Sequence, residues 1–205
     1  MKSQNKQGWK SLESKARTAK VIVFASGRGS NFVNLVEQSK NSNYRVIALM
    51  VDNPDAYAIE SAKKLDIPYY VVMRQIDESK ARHEEKIRSY LETIPFDFIA
   101  LAGYMKILSP EFVKKYNKRV INIHPSLLPA FKGANAIEDA FNYGVRVSGV
   151  TIHYVDAGID TGKIIEQEIV YLDDDETLDS FKDKIRELEH ELYPKVIKRL
   201  IEDRR

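Results

Sequence analysis

Cysteine is absent from all 205 residues. That excludes disulfide cross-links, a thiol nucleophile and any thiolate-held metal. No apolar run approaches the roughly 20 residues needed to cross a bilayer, and the N-terminal stretch has Lys and Ser but no apolar core of a secretory signal. Neither sign of charge dominates, with 32 Lys plus Arg against 30 Asp plus Glu, so bulk charge gives no support to a nucleic-acid partner. These absences point to a soluble, cytoplasmic protein with neither membrane nor nucleic acid among its partners. Against them stands an ordinary globular content, 43% hydrophobic. The length suits one domain with a substantial core.

Residues 1–19 are polar apart from Trp9 and Leu12 and read as a flexible extension without assigned function. Residues 20–205 read as a single domain. Apolar strands are expected at Lys20–Ala25, Arg45–Val51, Pro68–Val72, Phe96–Leu101 and Arg119–Ile123. Helices are expected between them at Ser30–Ser39, Ala56–Leu65, Glu78–Glu92 and Ser109–Tyr116. Continuous apolar strands alternating with helices predict an α/β fold, a Rossmann-like, doubly wound and mostly parallel sheet. After Ala134 the pattern changes to two longer strands, Val145–Val155 and Lys163–Tyr171, suited to antiparallel pairing. A final amphipathic helix carries Leu178, Phe181, Ile185, Leu188 and Leu192 on one face. The acidic run Asp173–Glu176 suits the positive end of that helix and is given a capping role rather than a metal, and Pro194 is expected to kink or restart it.

Four segments could carry chemistry. In Ser26-Gly27-Arg28-Gly29-Ser30-Asn31, between the first strand and first helix, glycines allow close backbone approach and free N–H groups favour an anion. The third glycine of a dinucleotide fingerprint and the Lys-Ser/Thr of a triphosphate loop are both missing, so a phosphate monoester fits best. The same residues also suit an ordinary turn capped by Ser30 or Asn31. Leu101–Pro110 follows the fourth strand, and Met105, Ile107 and Leu108 could line an apolar cleft for a flat ligand or simply pack as a loop. Asn122-Ile123-His124-Pro125-Ser126-Leu127-Leu128-Pro129 leaves the fifth strand. Pro125 biases His124 to extended backbone and so holds an imidazole stiffly at a strand end. Asp156–Gly162 is a Gly- and Asp-rich loop whose mobile context suits Asp160 to approach a ligand, or to sit solvated in a turn. In a doubly wound sheet the first, fourth and fifth strands end on one side, so three of these segments converge.

The four segments resemble the phosphoribosylglycinamide formyltransferase family, in order and spacing, through residues 26–31, 101–108, 122–129 and 149–162. The resemblance runs from about Lys20 to the C-terminus. It implies an enzyme that transfers a formyl group from 10-formyltetrahydrofolate, as co-substrate and without a metal, to the amino group of phosphoribosylglycinamide in purine biosynthesis, as a monomer or weak homodimer. It implies that Gly29, Ser30 and Asn31 hold the substrate phosphate and Glu189 the ribose hydroxyls. Met105, Lys106, Ile107 and Leu108 would form the folate loop, with Asn122 beside it. Lys80 stands where the family often has Arg near the folate's distal part. Asn122, His124 and Asp160 look like the catalytic trio. Ser148 stands where some members have His and is given no role. Lys132–Asn135 falls in a variable substrate-side loop.

That reaction places negative charge on the formyl oxygen, which Asn122 and a protonated His124 could stabilise, one such donor being worth ~3 kcal/mol. A carboxylate at Asp160 is expected to favour the imidazolium and raise the His124 pKa. His153 reads as structural, and His83 and His190 as helix residues outside the chemistry. Among relatives in logic, a formyltetrahydrofolate hydrolase and a methionyl-tRNA formyltransferase usually carry extra domains for which 205 residues leave no room. A non-catalytic phosphosugar-binding module would not need the trio, and an NAD oxidoreductase lacks its glycine fingerprint.

Overall fold

The computed structural model describes residues 17–204, so most of the expected extension over 1–19 lies outside the described residues. The elements among the described residues run β1 (Ala19–Ala25), α1 (Ser30–Ser39), β2 (Tyr44–Val51), α2 (Ala58–Lys64), β3 (Tyr69–Val71), α3 (Lys80–Thr93), β4 (Phe98–Leu101), α4 (Pro110–Lys115), β5 (Val120–His124), α5 (Ala136–Tyr143), β6 (Val147–Tyr154), β7 (Ile164–Tyr171) and α6 (Leu178–Glu202). Ala19, assigned above to the extension, is a buried member of β1. The strands form one sheet in the order β3-β2-β1-β4-β5-β6-β7. The pairs among β3, β2, β1, β4 and β5 are parallel, and β5–β6 and β6–β7 are antiparallel. This is the α/β, mostly parallel arrangement the strand pattern predicts.

Alternation along the strands feeds two cores. Val21, Val23 and Ala25 of β1 face the layer built by α1, α2, α5 and α6, where Phe32, Leu35, Ala62, Ala140, Phe181 and Ile197 are buried. Ile22 and Phe24 face the opposite layer with Ile87 and Leu91 of α3 and Phe112 of α4. Phe24, Phe32, Phe98, Phe112 and Phe181 are each at most 1% exposed, and burial of such a ring stabilises by about 2–3 kcal/mol.

Three expectations are corrected. The helix after Lys132–Asn135, α5, is absent from the strand–helix pattern above. It starts without a side-chain cap and ends on a left-handed Gly144. Pro194 neither kinks nor restarts α6, which is continuous over 25 residues. Proline removes the N–H that would bond the carbonyl four residues back, and here Asn34 Nδ2 donates to that orphaned His190 carbonyl at 2.7 Å. The acidic run does not cap α6. Thr177 does, accepting from Ser180 N–H at 3.1 Å, while Asp173 and Glu176 instead hold Lys184.

One feature of β6 predicts a stability gain. Ser148 is 2% exposed and its hydroxyl has no hydrogen-bond partner among the described residues. An unmade buried hydrogen bond costs about 1–3 kcal/mol, so Ser148→Ala is expected to stabilise the fold by about 1 kcal/mol. Urea unfolding measures it; a loss of stability would mean that the hydroxyl has an unseen water partner.

Candidate functional site

The carboxyl ends of β1, β4 and β5 are adjacent in the sheet, and the loops leaving them close around one cavity of about 730 Å³. Ser26–Asn31, Leu101–Leu108, Asn122–Pro125, Asp160 and Glu189 all line it. The first two loops are tied together: Ser26 N–H donates to Gly103 O at 3.1 Å, and Ser26 Oγ accepts from Met105 N–H at 2.8 Å. Gly29 caps α1 with φ of +76°, and a Cβ there would stand 2.6 Å from the Cβ of Ala58. Glycine is thus required twice over, by the left-handed backbone and by the close packing of α2. Neither Ser30 nor Asn31 caps the helix; among the described residues no side chain does. The first-turn N–H groups therefore keep no side-chain acceptor and are available to an anion.

Asn31 instead turns its Nδ2 to Glu189 Oε2 at 2.9 Å, while its buried Oδ1 has no partner among the described residues. Burial pushes the Glu189 carboxyl up to about 7, against the lowering influence of the Asn31 amide. The Glu189 carboxyl thus lines the cavity, with the buried amide oxygen of Asn31 unpaired behind it among the described residues. Met105 and Ile107 are 62% and 55% exposed on the cavity wall, and Leu108 is buried beneath them. Lys80 does not reach this cavity. It lines a neighbouring hollow of about 290 Å³ with Arg74 and the far side of the 104–108 loop. Lys106 lines both, and its ammonium stands 3.7 Å from the buried Asp52 carboxylate.

His124 is the last residue of β5 and is 4% exposed. Its Nε2–H donates to Phe131 O at 2.8 Å, which leaves Nδ1 as the free nitrogen of the neutral ring. Nδ1 lies 3.4 Å from Asp160 Oδ2, and that oxygen also accepts from Gly133 N–H at 2.9 Å. The Asp160 loop is pinned rather than loose, because Asp156 Oδ1 accepts from both Gly158 N–H and Thr161 Oγ1.

Burial pulls the His124 pKa below its ordinary value, and this outweighs the raising influence of the Phe131 carbonyl and of Asp160. The expectation of a raised value is therefore corrected: Asp160 acts in the expected direction, but desolvation is larger. For Asp160 burial opposes ionisation, yet its hydrogen bonds and the two imidazoles together bring it down to about 2. At neutral pH the pair is a carboxylate beside a neutral imidazole.

His153, read above as structural, stands in the same cluster. It pairs across the antiparallel strands with Asn122, whose Nδ2 donates to His153 Nε2 at 3.1 Å. His153 Nδ1–H in turn donates to Tyr154 O at 3.0 Å, and its Nε2 lies 3.6 Å from Asp160 Oδ1, an electrostatic contact beyond hydrogen-bond reach. Asn122 keeps its second N–H for the cavity. The alternation Thr151, His153 on one face of β6, with Val150 and Ile152 on the core face, is the signal that places this imidazole.

Known proteins share much of this sequence and its fold. A model of the family described as formyl transferase matches residues 19–197. A curated relative, phosphoribosylglycinamide formyltransferase of Bacillus subtilis strain 168, is 44% identical over 184 residues, 89% of this chain and 94% of that one. A solved structure of phosphoribosylglycinamide formyltransferase from Streptococcus pneumoniae TIGR4 superposes with a TM-score of 0.84 at 46% identity, over 89% of this chain and 98% of that one. Another, from Bacillus halodurans, gives 0.87 at 40% identity, over 91% and 97%.

Proposed function

The chain belongs to the formyl transferase family, and on that premise we propose that it transfers the formyl group of 10-formyltetrahydrofolate to the amino group of phosphoribosylglycinamide. The observation that carries the reading is the meeting, on one cavity, of His124 Nδ1 and the ionised Asp160 with the uncapped α1 N-terminus and an apolar loop. The first-turn N–H groups of Gly29, Ser30 and Asn31 take the phosphate. Glu189 accepts from the ribose hydroxyls. Met105, Lys106, Ile107 and Leu108 cover the flat folate ring, for which the exposed Met105 and Ile107 are suited, and Asn122 stands at its edge. Lys80, on the adjacent hollow with Arg74, serves an anionic tail.

The folate supplies an activated formyl carbon; the protein supplies position, charge and a proton path. As the amine nitrogen bonds to that carbon, Asn122 donates to the formyl oxygen where negative charge grows. Neutral His124 takes the amine proton at Nδ1, and Asp160 stabilises the imidazolium so formed. The same Nδ1–H then delivers the proton to the folate nitrogen as its bond to the formyl carbon breaks. His153 holds the Asn122 amide in place.

The reading is tested with purified protein, 10-formyltetrahydrofolate and phosphoribosylglycinamide, following folate absorbance. Turnover is expected with the phosphosugar amine. Turnover with water or initiator tRNA in its place would overturn the assignment in favour of a hydrolase or a tRNA formyltransferase.

A further inference from the structure

Gln167 is exposed on β7, at the open edge of the sheet, and surface amides there ordinarily tolerate change. Its position in the sheet is not ordinary. Register pairs His124 with Thr151 across β5–β6, and Thr151 with Gln167 across β6–β7. Directly paired residues point to the same face, so imidazole, hydroxyl and amide form one row, running from the cavity to the sheet edge.

Hydrogen bonds join the outer two members of the row to the segment that carries the acceptor of His124. Gln167 Nε2 donates to Thr151 Oγ1 at 2.9 Å and to Leu128 O at 3.0 Å. Thr151 Oγ1 donates to Ser126 O at 2.6 Å and accepts from Leu128 N–H at 3.0 Å. The hydroxyl thereby uses its one proton and both lone pairs. Ser126 Oγ continues the chain to Ala130 O at 2.6 Å. The next carbonyl, that of Phe131, receives His124 Nε2–H. Thr151 and Ser126 are fully buried. Withdrawing the Gln167 amide thus leaves one lone pair of the hydroxyl and the Leu128 carbonyl without donors, in a place where neither is readily replaced.

We infer that Gln167 is a positioning residue for His124, clamping Ser126–Leu128 through Thr151 so that Phe131 O fixes the tautomer with Nδ1 free. The inference rests on the proposed role of His124, but the geometry it concerns is read independently of turnover. Nitrogen-15 spectra of the histidine side chains report which ring nitrogen of His124 carries the proton. They are recorded on wild type, on Gln167→Ala and on Gln167→Glu, which keeps the shape and removes both donors. Wild type is expected to hold His124 with the proton on Nε2, and both variants to give a mixture of tautomers. In the formyl-transfer assay both variants are expected to lose kcat by about tenfold, the scale of a small misplacement of a reacting group, with KM for the phosphosugar unchanged because the α1 N-terminus is untouched.

A wild-type tautomer in both variants overturns the inference, whatever the rates. A fall in kcat with that tautomer unchanged overturns it too, since the effect would then run by another route. A tautomer mixture in the variants of a protein whose wild type transfers no formyl group would uphold the positioning role and overturn the reaction assigned above.

Discussion

Replacing His124 by Ala is expected to lower kcat by roughly 10²–10⁴-fold, the range for loss of a positioned general acid–base, while KM for the phosphosugar changes little. The separation follows from the layout. The proposed phosphate and ribose positions lie at Gly29–Asn31 of the α1 N-terminus and at Glu189 of α6, whereas His124 ends β5 with its Nε2 engaged by Phe131 O. Asp160→Asn provides a sharper reading of the same pair. The carboxylate favours the imidazolium, so its removal drops the His124 pKa further below the ordinary value that burial already undercuts. Neutral His124 then persists to lower pH, and the acid limb of the kcat/KM profile moves down. The maximal rate falls as well, because the imidazolium formed during transfer loses its counter-charge. An acid limb that stays in place or moves up would remove Asp160 from this role, and a His124→Ala enzyme with near-normal kcat would remove the imidazole.

The sheet was legible because buried parallel strands are apolar without interruption, as in Val21–Ala25 and Phe98–Leu101. The expected ends differ from the observed ones by one or two residues where a side chain takes over a terminus. Ser79 and Ser109, for instance, lie outside α3 and α4 as caps, accepting from Arg82 N–H and Phe112 N–H. The convergence of the Gly29, Met105 and His124 segments followed from topology alone, since β1, β4 and β5 are neighbours. What stayed hidden depends on partners distant in sequence. His153 enters the cluster through its register with Asn122, 31 residues away. The continuity of α6 through Pro194 depends on an amide from α1, 156 residues from the carbonyl it satisfies. The direction of the His124 shift depends on how deeply the ring is buried, a quantity that spacing does not contain.

Glu189 supplies the other large expected effect, on stability and on binding together. Its carboxyl titrates at about 7 in the fold, against an ordinary 4.5. A raised acid contributes stability that is complete below the unfolded value and declines as pH rises to the folded one. Folding should therefore weaken between pH 4.5 and about 7, by an upper figure of about 3 kcal/mol for such a shift. Glu189 lines an open cavity, and solvent screening there trims that figure. Glu189→Gln removes the titrating group, so the variant should match wild type near pH 4.5 and exceed it increasingly up to pH 7, as read by denaturant unfolding at several pH values. Parallel curves would mean that the carboxyl is solvated in the folded state. Binding should respond in the opposite sense. If the ribose hydroxyls donate to the ionised carboxylate, wild-type affinity for the phosphosugar falls as pH drops below 7, approaching tenfold per unit, and the slope vanishes in Glu189→Gln at a weaker plateau. On that expectation the buried carboxyl is costly in the empty cavity and useful once the phosphosugar binds, and Asn31 supplies it one hydrogen bond in both.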